Sequence, residues 1–372
     1  MIFHMTSKKP VLIVGNGARS AGASELVYEF IEKTHIPVLT TMNTVDMIQD
    51  KYKIGFIGTY GNRIANMILN ECDLVLSVGA RLGLRQIGHI PDLFAPKAKL
   101  IRCDVDQYEL GRQIKAERRE EKYNFDAKYF MEILLNEDIP DYTEWWNKCQ
   151  RAKNMLEGYD DTEGNKVIHK ISDILPENPV VTVDIGQTVC WAAQSLTLKG
   201  TKGRIIIGGS YGAMGIGLPY AIGASVSRNN AQTFCITGDG GLQMNIQELQ
   251  TIKREHLPIK ILVINNRELG KISEIQHGSY ENRYFITTPQ SGYTVPDFVD
   301  IADAYGIKSA KLENYHELEH YRMWLEDEEP CLLDISLTPG TLLKPKIKWE
   351  TCTIQPDLDK NILIKVNELL QF

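Results

Sequence analysis

The stretch Thr237–Gly270 reads TGDGGLQMNIQELQTIKREHLPIKILVINNRELG, and its pattern decides the fold. An apolar run, Thr233–Thr237, enters Gly238-Asp239-Gly240-Gly241, and a helical pattern follows with Leu242, Ile246, Leu249 and Ile252 on one side. A second apolar run, Ile261–Ile264, delivers Asn265-Asn266 at its carboxyl end. Strand, helix and strand in this order form the repeating unit of a parallel sheet covered by helices. Ligands of open sheets of this kind bind beyond the carboxyl ends of the strands. Asp239 and Asn266 are therefore expected at one edge, delivered by two strands.

That pair suits a divalent cation holding a diphosphate. Glycines let backbone N–H groups come close to phosphate oxygens, and a helix N-terminus adds positive potential. Asp239 offers a hard anionic oxygen, Asn266 a neutral amide oxygen, and a backbone carbonyl just beyond can be a third ligand. Two diphosphate oxygens and a water would complete the octahedron that Mg²⁺ prefers. GDGG alone is as readily a turn, since Gly, Asp and Asn dominate turns. The pair, 27 residues apart on correctly ordered strands, is the more specific signal.

The same alternation extends in both directions. Val11–Val14, Pro37–Leu39, Leu74–Val78 and Leu100–Val105 are strand candidates before it, separated by segments such as Ser24–Thr34 and Arg63–Glu71 with helical spacing. Val180–Val183, Ile205–Ile207 and Cys331–Ile335 continue the series around it. Between the two sets, Asp138 to about Gly164 is polar and reads as a helix plus linker. The fold class is α/β, with two doubly wound parallel-sheet domains. A Rossmann-like domain is expected over 1–150, a second domain carrying the diphosphate site over 151–345 and a C-terminal tail over 346–372, where Pro356–Phe372 reads as a short amphipathic helix.

Composition narrows the class of function. A length of 372 residues suits two domains with their own cores, and a net charge of −7 argues against a nucleic-acid surface. ERREEK (117–122) mixes both signs and is read as a solvated helix face. The seven cysteines show no C-x-x-C spacing, so neither a zinc site nor a redox pair is signalled. Cys235 and Cys331, inside apolar runs, are expected to be buried thiols. No run of about 18 apolar residues exists and Met1–Pro10 lacks a signal-peptide pattern. A reduced, cytoplasmic setting is the expectation.

GDG followed by NN at this spacing resembles the signature of thiamine-diphosphate (ThDP) enzymes. QMNIQEL, LPIKILVINN, VDIGQTVCWAAQ (183–194) and GGSYGAMGIGLP (208–219) resemble the acetolactate synthase large subunit in particular. VLIVGNGAR (11–19), ANMILNECDLVLSVGARL (65–82) and IRCDVDQ (101–107) resemble that family's central domain. The resemblance implies that Asp239, Asn266 and the main-chain carbonyl of Glu268 ligate Mg²⁺. It implies that Gly186, Gln187, Gly240 and Gly241 contact the diphosphate, with Gly238 also among the cofactor-binding residues. Met214 would sit under the bent cofactor, and the Gly212 carbonyl would meet its 4′-amino group.

The sequence also departs from the family. The glutamate that activates the ThDP pyrimidine belongs to an N-terminal domain of ~150–180 residues, a typical domain size. Here the first strand begins at Val11, and Met1–Pro10 reads as the tail of a preceding helix. The expectation is a pyrimidine-binding domain supplied in trans or lost by truncation, and a chain inactive alone. After the NN motif the family carries a methionine and then a tryptophan lining the substrate pocket, where this chain has Lys271 and Ile275. Lys271 reads either as a solvated surface lysine or as a charge that attracts an anionic substrate. Acetolactate synthases also bind FAD on the central domain. Gly15, Gly17, Gly79, Ala80, Arg81, Arg85 and Asp104 match, but the family's acidic pair is replaced by Gly83 and Leu84. FAD is expected to be absent or well below one per chain.

The resemblance thus implies a Mg-ThDP enzyme that makes or breaks a C–C bond beside a carbonyl of a 2-oxo acid, acetolactate-synthase-like, in a homo-oligomer. A 2-oxo-acid decarboxylase or 2-hydroxyacyl lyase is the nearest alternative, and a non-catalytic cofactor-binding fragment is one of another class. A nicotinamide oxidoreductase is disfavoured, because GNGARS (15–20) lacks the third glycine of the dinucleotide motif and no acid follows about 20 positions on at a strand end. Neither nucleic acid nor membrane is expected as a partner.

Overall fold

The computed structural model describes residues 7–116, 119–209, 211–348 and 352–371. The chain forms two compact units, Met1–Asp160 with Lys344–Phe372, and Asp161–Leu343. The division falls after residue 150, and the C-terminal segment expected as a separate tail belongs to the first unit. The reason is apolar: in the helix Lys360–Leu370, Val366 and Leu370 are buried in the first unit's core, and the helix lies against Thr143–Met155.

The first unit holds β1 (Pro10–Val14), β2 (Val38–Thr40), β3 (Lys53–Phe56), β4 (Leu74–Val78), β5 (Lys99–Cys103) and β6 (Glu120–Tyr123). They form one all-parallel sheet in the order β3-β2-β1-β4-β5-β6. β1, PVLIV, is buried throughout, as a strand covered on both faces must be. The helix Ser24–Thr34 buries Val27, Phe30, Ile31 and Thr34, a stripe at helical spacing that covers the sheet. The chain order reverses between β1 and β4, and there the turns pack backbone to backbone. A Cβ on Gly15 would meet the Gly79 carbonyl oxygen at 2.2 Å.

ERREEK does not form a solvated helix face. Glu117 and Arg118 lie outside the described residues, while 120–123 form β6 beside β5. The Glu120 carboxylate is buried and accepts from Arg102 Nη1 at 2.9 Å and from the backbone N–H groups of Ile114 and Lys115. An ion pair, not an apolar face, fixes this edge strand. Most of the Met1–Pro10 segment, residues 1–6, also lies outside the described residues.

The second unit contains β7 (Val180–Val183), β8 (Arg204–Ile207), β9 (Thr233–Gly238), β10 (Ile259–Asn265), β11 (Lys308–Leu312) and β12 (Cys331–Ser336). These again form an all-parallel sheet, in the order β11-β12-β10-β9-β7-β8. The helical pattern after GDGG is broken into Asp239–Met244, a short 3₁₀ turn Ile246–Glu248, and Leu249–Arg254. Leu242, Leu249 and Ile252 are nevertheless buried with β9 and β10 residues in one core. Cys235 and Cys331 are buried thiols, and burial pushes Cys235 up to about 12. Among the described residues no helix is long and apolar enough to cross a membrane.

Candidate functional site

Register places the candidate residues at one edge. β9 and β10 pair Ile264 with Gly238, so Asp239 and Asn266 emerge at the same level from neighbouring strands. Chain order reverses between β7 and β9, which puts Gly186 and Gln187, just past β7, beside the same edge. Carboxyl ends of strands at such a reversal form the crevice where ligands of open sheets bind.

Asp239 is buried, and its Oδ2 has no hydrogen-bond partner among the described residues. An acceptor buried in that way costs about 1–3 kcal/mol, more when charged, unless something positive meets it. Burial, with Asp334 and Glu268 adding negative charge against the stabilising Gly240 N–H, raises its pKa to about 7. The Tyr293 hydroxyl stands at the same turn, 3.1 Å from where a Gly240 Cβ would lie, and burial followed by the Asp239 charge pushes the phenol above its ordinary range.

Asn266 is held by two contacts. Its Nδ2 donates to Gln187 Oε1 at 3.1 Å, and its Oδ1 accepts from the Glu268 N–H at 3.1 Å. An amide oxygen carries two lone pairs, so Oδ1 keeps one for a further partner. Gln187 in turn donates to the Thr341 carbonyl at 2.9 Å and to Glu274 Oε2 at 3.4 Å. Arg267 takes a left-handed backbone conformation between Asn266 and Glu268, with φ of 56°, which folds the chain back after β10. The Glu268 side chain faces Ser273, whose hydroxyl donates to it at 3.0 Å.

The glycines divide into two kinds. Gly186 has φ of 102° and open space where a Cβ would stand, at the start of the helix Gln187–Ser195. Gly240 and Gly241 instead make room for the protein itself: a Cβ on Gly241 would lie 2.4 Å from Asp184 Oδ2, and one on Gly240 2.9 Å from Leu269 Cδ2. Gly238 closes β9 and caps the helix that begins at Asp239. Met214 is 41% exposed, and its methyl is 3.3 Å from the Cβ position of Gly240. The GAMG loop and the GDGG turn are thus brought together. Gly212 in that loop has φ of 62° and lies over Ile185; Ser210 lies outside the described residues.

Lys271 and Ile275 stand one turn apart on the helix Gly270–Ser279. Lys271 is not a solvated surface lysine, because its ammonium nitrogen is buried. Ile275 is 43% exposed. Sequence reasoning missed Asp184, Tyr293 and Glu274. Asp184 carried a signal, an acid at the carboxyl end of a strand two residues before Gly186. Tyr293 and Glu274 carried none, since one sits in a long loop and the other looks like a helix-surface glutamate.

Residues 184–335 match the family model described as thiamine pyrophosphate enzyme, C-terminal TPP binding domain, and residues 5–120 match thiamine pyrophosphate enzyme, central domain. The chain belongs to the thiamine pyrophosphate enzymes. It is similar to the acetolactate synthase isozyme 2 large subunit of Escherichia coli K12, 32% identical over 89% of this chain and 60% of the relative. It is also similar to the acetolactate synthase large subunit of Lactococcus lactis, 31% identical over 92% of this chain and 60% of the relative. That of Parasynechococcus marenigrum is 32% identical over 92% and 56%. The chain therefore spans about three-fifths of the length of the curated relatives it matches. Among the described residues no group of three His, Cys, Asp or Glu side chains could hold a metal. A cation site on this ThDP-enzyme edge would need a mixed donor set of one carboxylate, one amide and one carbonyl.

Proposed function

We propose that the chain carries the Mg-diphosphate half of an acetolactate-synthase-like ThDP enzyme that makes or breaks a C–C bond of a 2-oxo acid. The observation that supports this most is Asp239 Oδ2, a buried acceptor without a partner among the described residues, at the strand edge where Asn266 also arrives. Asp239 and the free lone pair of Asn266 Oδ1 would hold Mg²⁺, with the Glu268 carbonyl as third ligand. Gly186 and Gln187 would meet the diphosphate from the β7 side, and Gly238, Gly240 and Gly241 from the β9 side. Met214 would support the rings and the Gly212 carbonyl would orient the aminopyrimidine. When bound, the cofactor supplies the electron sink for a carbanion next to a carbonyl.

Lys271 and Ile275 would line the substrate side, with the lysine attracting a 2-oxo-acid carboxylate. Stoichiometric flavin is not part of this proposal, because Gly15 is required by its packing against Gly79 and needs no ligand to explain it. A pyrimidine-binding domain and a homo-oligomer in the cytoplasm complete the assignment. Calorimetry of ThDP binding with Mg²⁺ tests it. Asp239→Ala should abolish the Mg²⁺-dependent part of the binding, and unchanged affinity would remove the assignment of the cation site.

A further inference from the structure

Asp184 is a buried acid at this edge that the proposed cation site does not use. It is 1% exposed. Its Oδ1 accepts from the Ile185 N–H at 2.7 Å, both oxygens accept from the Gly215 N–H at 3.1 Å, and Oδ2 accepts from Thr237 Oγ1 at 3.0 Å. Three segments therefore meet on one carboxylate: the end of β7, the GAMG loop and the end of β9. The space around it is shaped to match. A Cβ on Gly241 would meet Oδ2 at 2.4 Å, and one on Gly217 would meet the Asp184 Cβ at 3.0 Å. The other face of the loop is tied by Asn245 Nδ2, which donates to the Gly215 carbonyl at 2.8 Å. Both sides of Gly215 are fixed, while the adjoining Ala213 and Met214 are exposed.

We infer that Asp184 is a positioning residue which, through the Gly215 N–H, sets where Gly212 and Met214 stand relative to the GDGG turn, and so fixes the rings of ThDP but not its diphosphate. This rests on the reading of the edge as a Mg-ThDP site. The choice of an acid follows from donor counting. Ile185 N–H, Gly215 N–H and the Thr237 hydroxyl all point at the side chain, and only a carboxylate accepts from all three. An asparagine of the same shape must turn its NH₂ toward one of these donors. The hydroxyl can rotate to accept, but the Gly215 N–H faces both oxygens at 3.1 Å, so whichever way the amide turns one of its two acceptors becomes an NH₂ and the loop's tie is weakened.

The experiment compares two ligands, ThDP and inorganic pyrophosphate, each with Mg²⁺, by calorimetry on the full chain. Asp184→Asn should weaken ThDP by about ten-fold, the loss of one hydrogen bond to a charged group. It should change pyrophosphate by less than about two-fold, the scatter expected for independent sites. Equal weakening of both ligands, or of neither, would overturn the inference. Wild-type protein that binds ThDP no more tightly than pyrophosphate would overturn it as well. Asp239→Ala, by contrast, should remove both, and a wild-type chain that binds neither sinks the Mg-ThDP reading itself. Should Asp184→Asn fail to fold, amide exchange in the wild type decides. The Gly215 N–H should be protected at least about ten-fold more than the exposed Ala213 and Met214 amides beside it, and equal exchange rates would overturn the inference.

Discussion

Asn266 Nδ2 donates to Gln187 Oε1 at 3.1 Å, joining the end of β10 to the start of the helix after β7 across the intervening β9. The bond does two things at once. It leaves Asn266 Oδ1 facing the turn, and it holds Gln187 so that its own amide reaches the Thr341 carbonyl. Both side chains are buried, so neither can exchange the lost partner for bulk water.

Gln187→Ala should therefore lower the stability by about 1–3 kcal/mol, the cost of leaving buried polar groups unpaired. Asn266→Ala should do the same, and the double variant should lose less than the sum, with a coupling of about 1 kcal/mol. Urea denaturation of the four proteins without cofactor measures it. Strict additivity would show that the two side chains do not act as a pair.

Asp239 makes the unliganded protein sensitive to pH. Burial raises its folded pKa to about 7, above the ordinary carboxylate value of the unfolded chain. The contribution to stability is then fully present below about pH 4 and is lost as pH rises through about 7, where a charge must be held without a counter-ion. Asp239→Asn removes that loss. Without Mg²⁺ the variant should be more stable than wild type at pH 8, on the order of 2–4 kcal/mol, and close to it at about pH 4. Urea denaturation at the two pH values checks it, and an equal difference at both would refute the link to titration. A site that destabilises its own fold until a cation arrives is what a functional carboxylate would produce.

How much of this was legible in the sequence depended on what holds each element. β1, β4, β7, β9, β10 and β12 are internal strands with continuous apolar runs, and the pattern located all of them. In the two six-stranded sheets, the three strands that escaped it, β3, β6 and β11, are all at sheet edges. An edge strand need not bury both faces, so Lys308–Leu312, KSAKL, looks like loop. β6 is held by Glu120, and a charge pair formed 18 residues apart with Arg102 leaves no periodicity to read. At the site, Asp239 and Asn266 were readable because strand ends fix where they emerge, whereas Gly186 and Gln187 were named through the family resemblance alone. Tyr293 was not, because its place beside Asp239 depends on the course of a loop between two distant elements.

The Arg102–Glu120 pair yields the third prediction. Burial alone would raise the Glu120 pKa, but the Lys115 N–H, Arg102 and the Ile114 N–H outweigh it and hold the carboxyl below its ordinary range. Its contribution to stability is thus present above the unfolded pKa and lost as pH falls through the folded one. Glu120→Ala leaves Arg102 buried without its carboxylate and should cost about 3–5 kcal/mol at pH 7, in the range for breaking a buried pair from one side. The double variant Arg102→Met, Glu120→Leu should recover much of that loss. Thermal or urea unfolding decides, and a double variant as unstable as Glu120→Ala would mean that the bonds from Ile114 and Lys115, not the ion pair, hold β6.

Ile275 is the last residue to test, since its role concerns what the site accepts. It lies one turn beyond Lys271 on the helix that follows the Asn266–Glu268 turn, and it is 43% exposed, so its side chain can meet a ligand without rearranging the core. A tryptophan there adds apolar surface at modest cost to the fold, because the position is not enclosed. If the helix faces the substrate, Ile275→Trp should shift carboligation toward the larger of two acceptors by on the order of 1–3 kcal/mol, the range over which apolar pockets discriminate. The measurement is a competition between pyruvate and 2-oxobutyrate as acceptors, read as the product ratio, with a pyrimidine-binding domain present. Binding of Mg-ThDP should stay unchanged, because no cation or diphosphate contact is assigned to Ile275. A product ratio that does not move, with ThDP binding intact, would place Ile275 outside the substrate pocket.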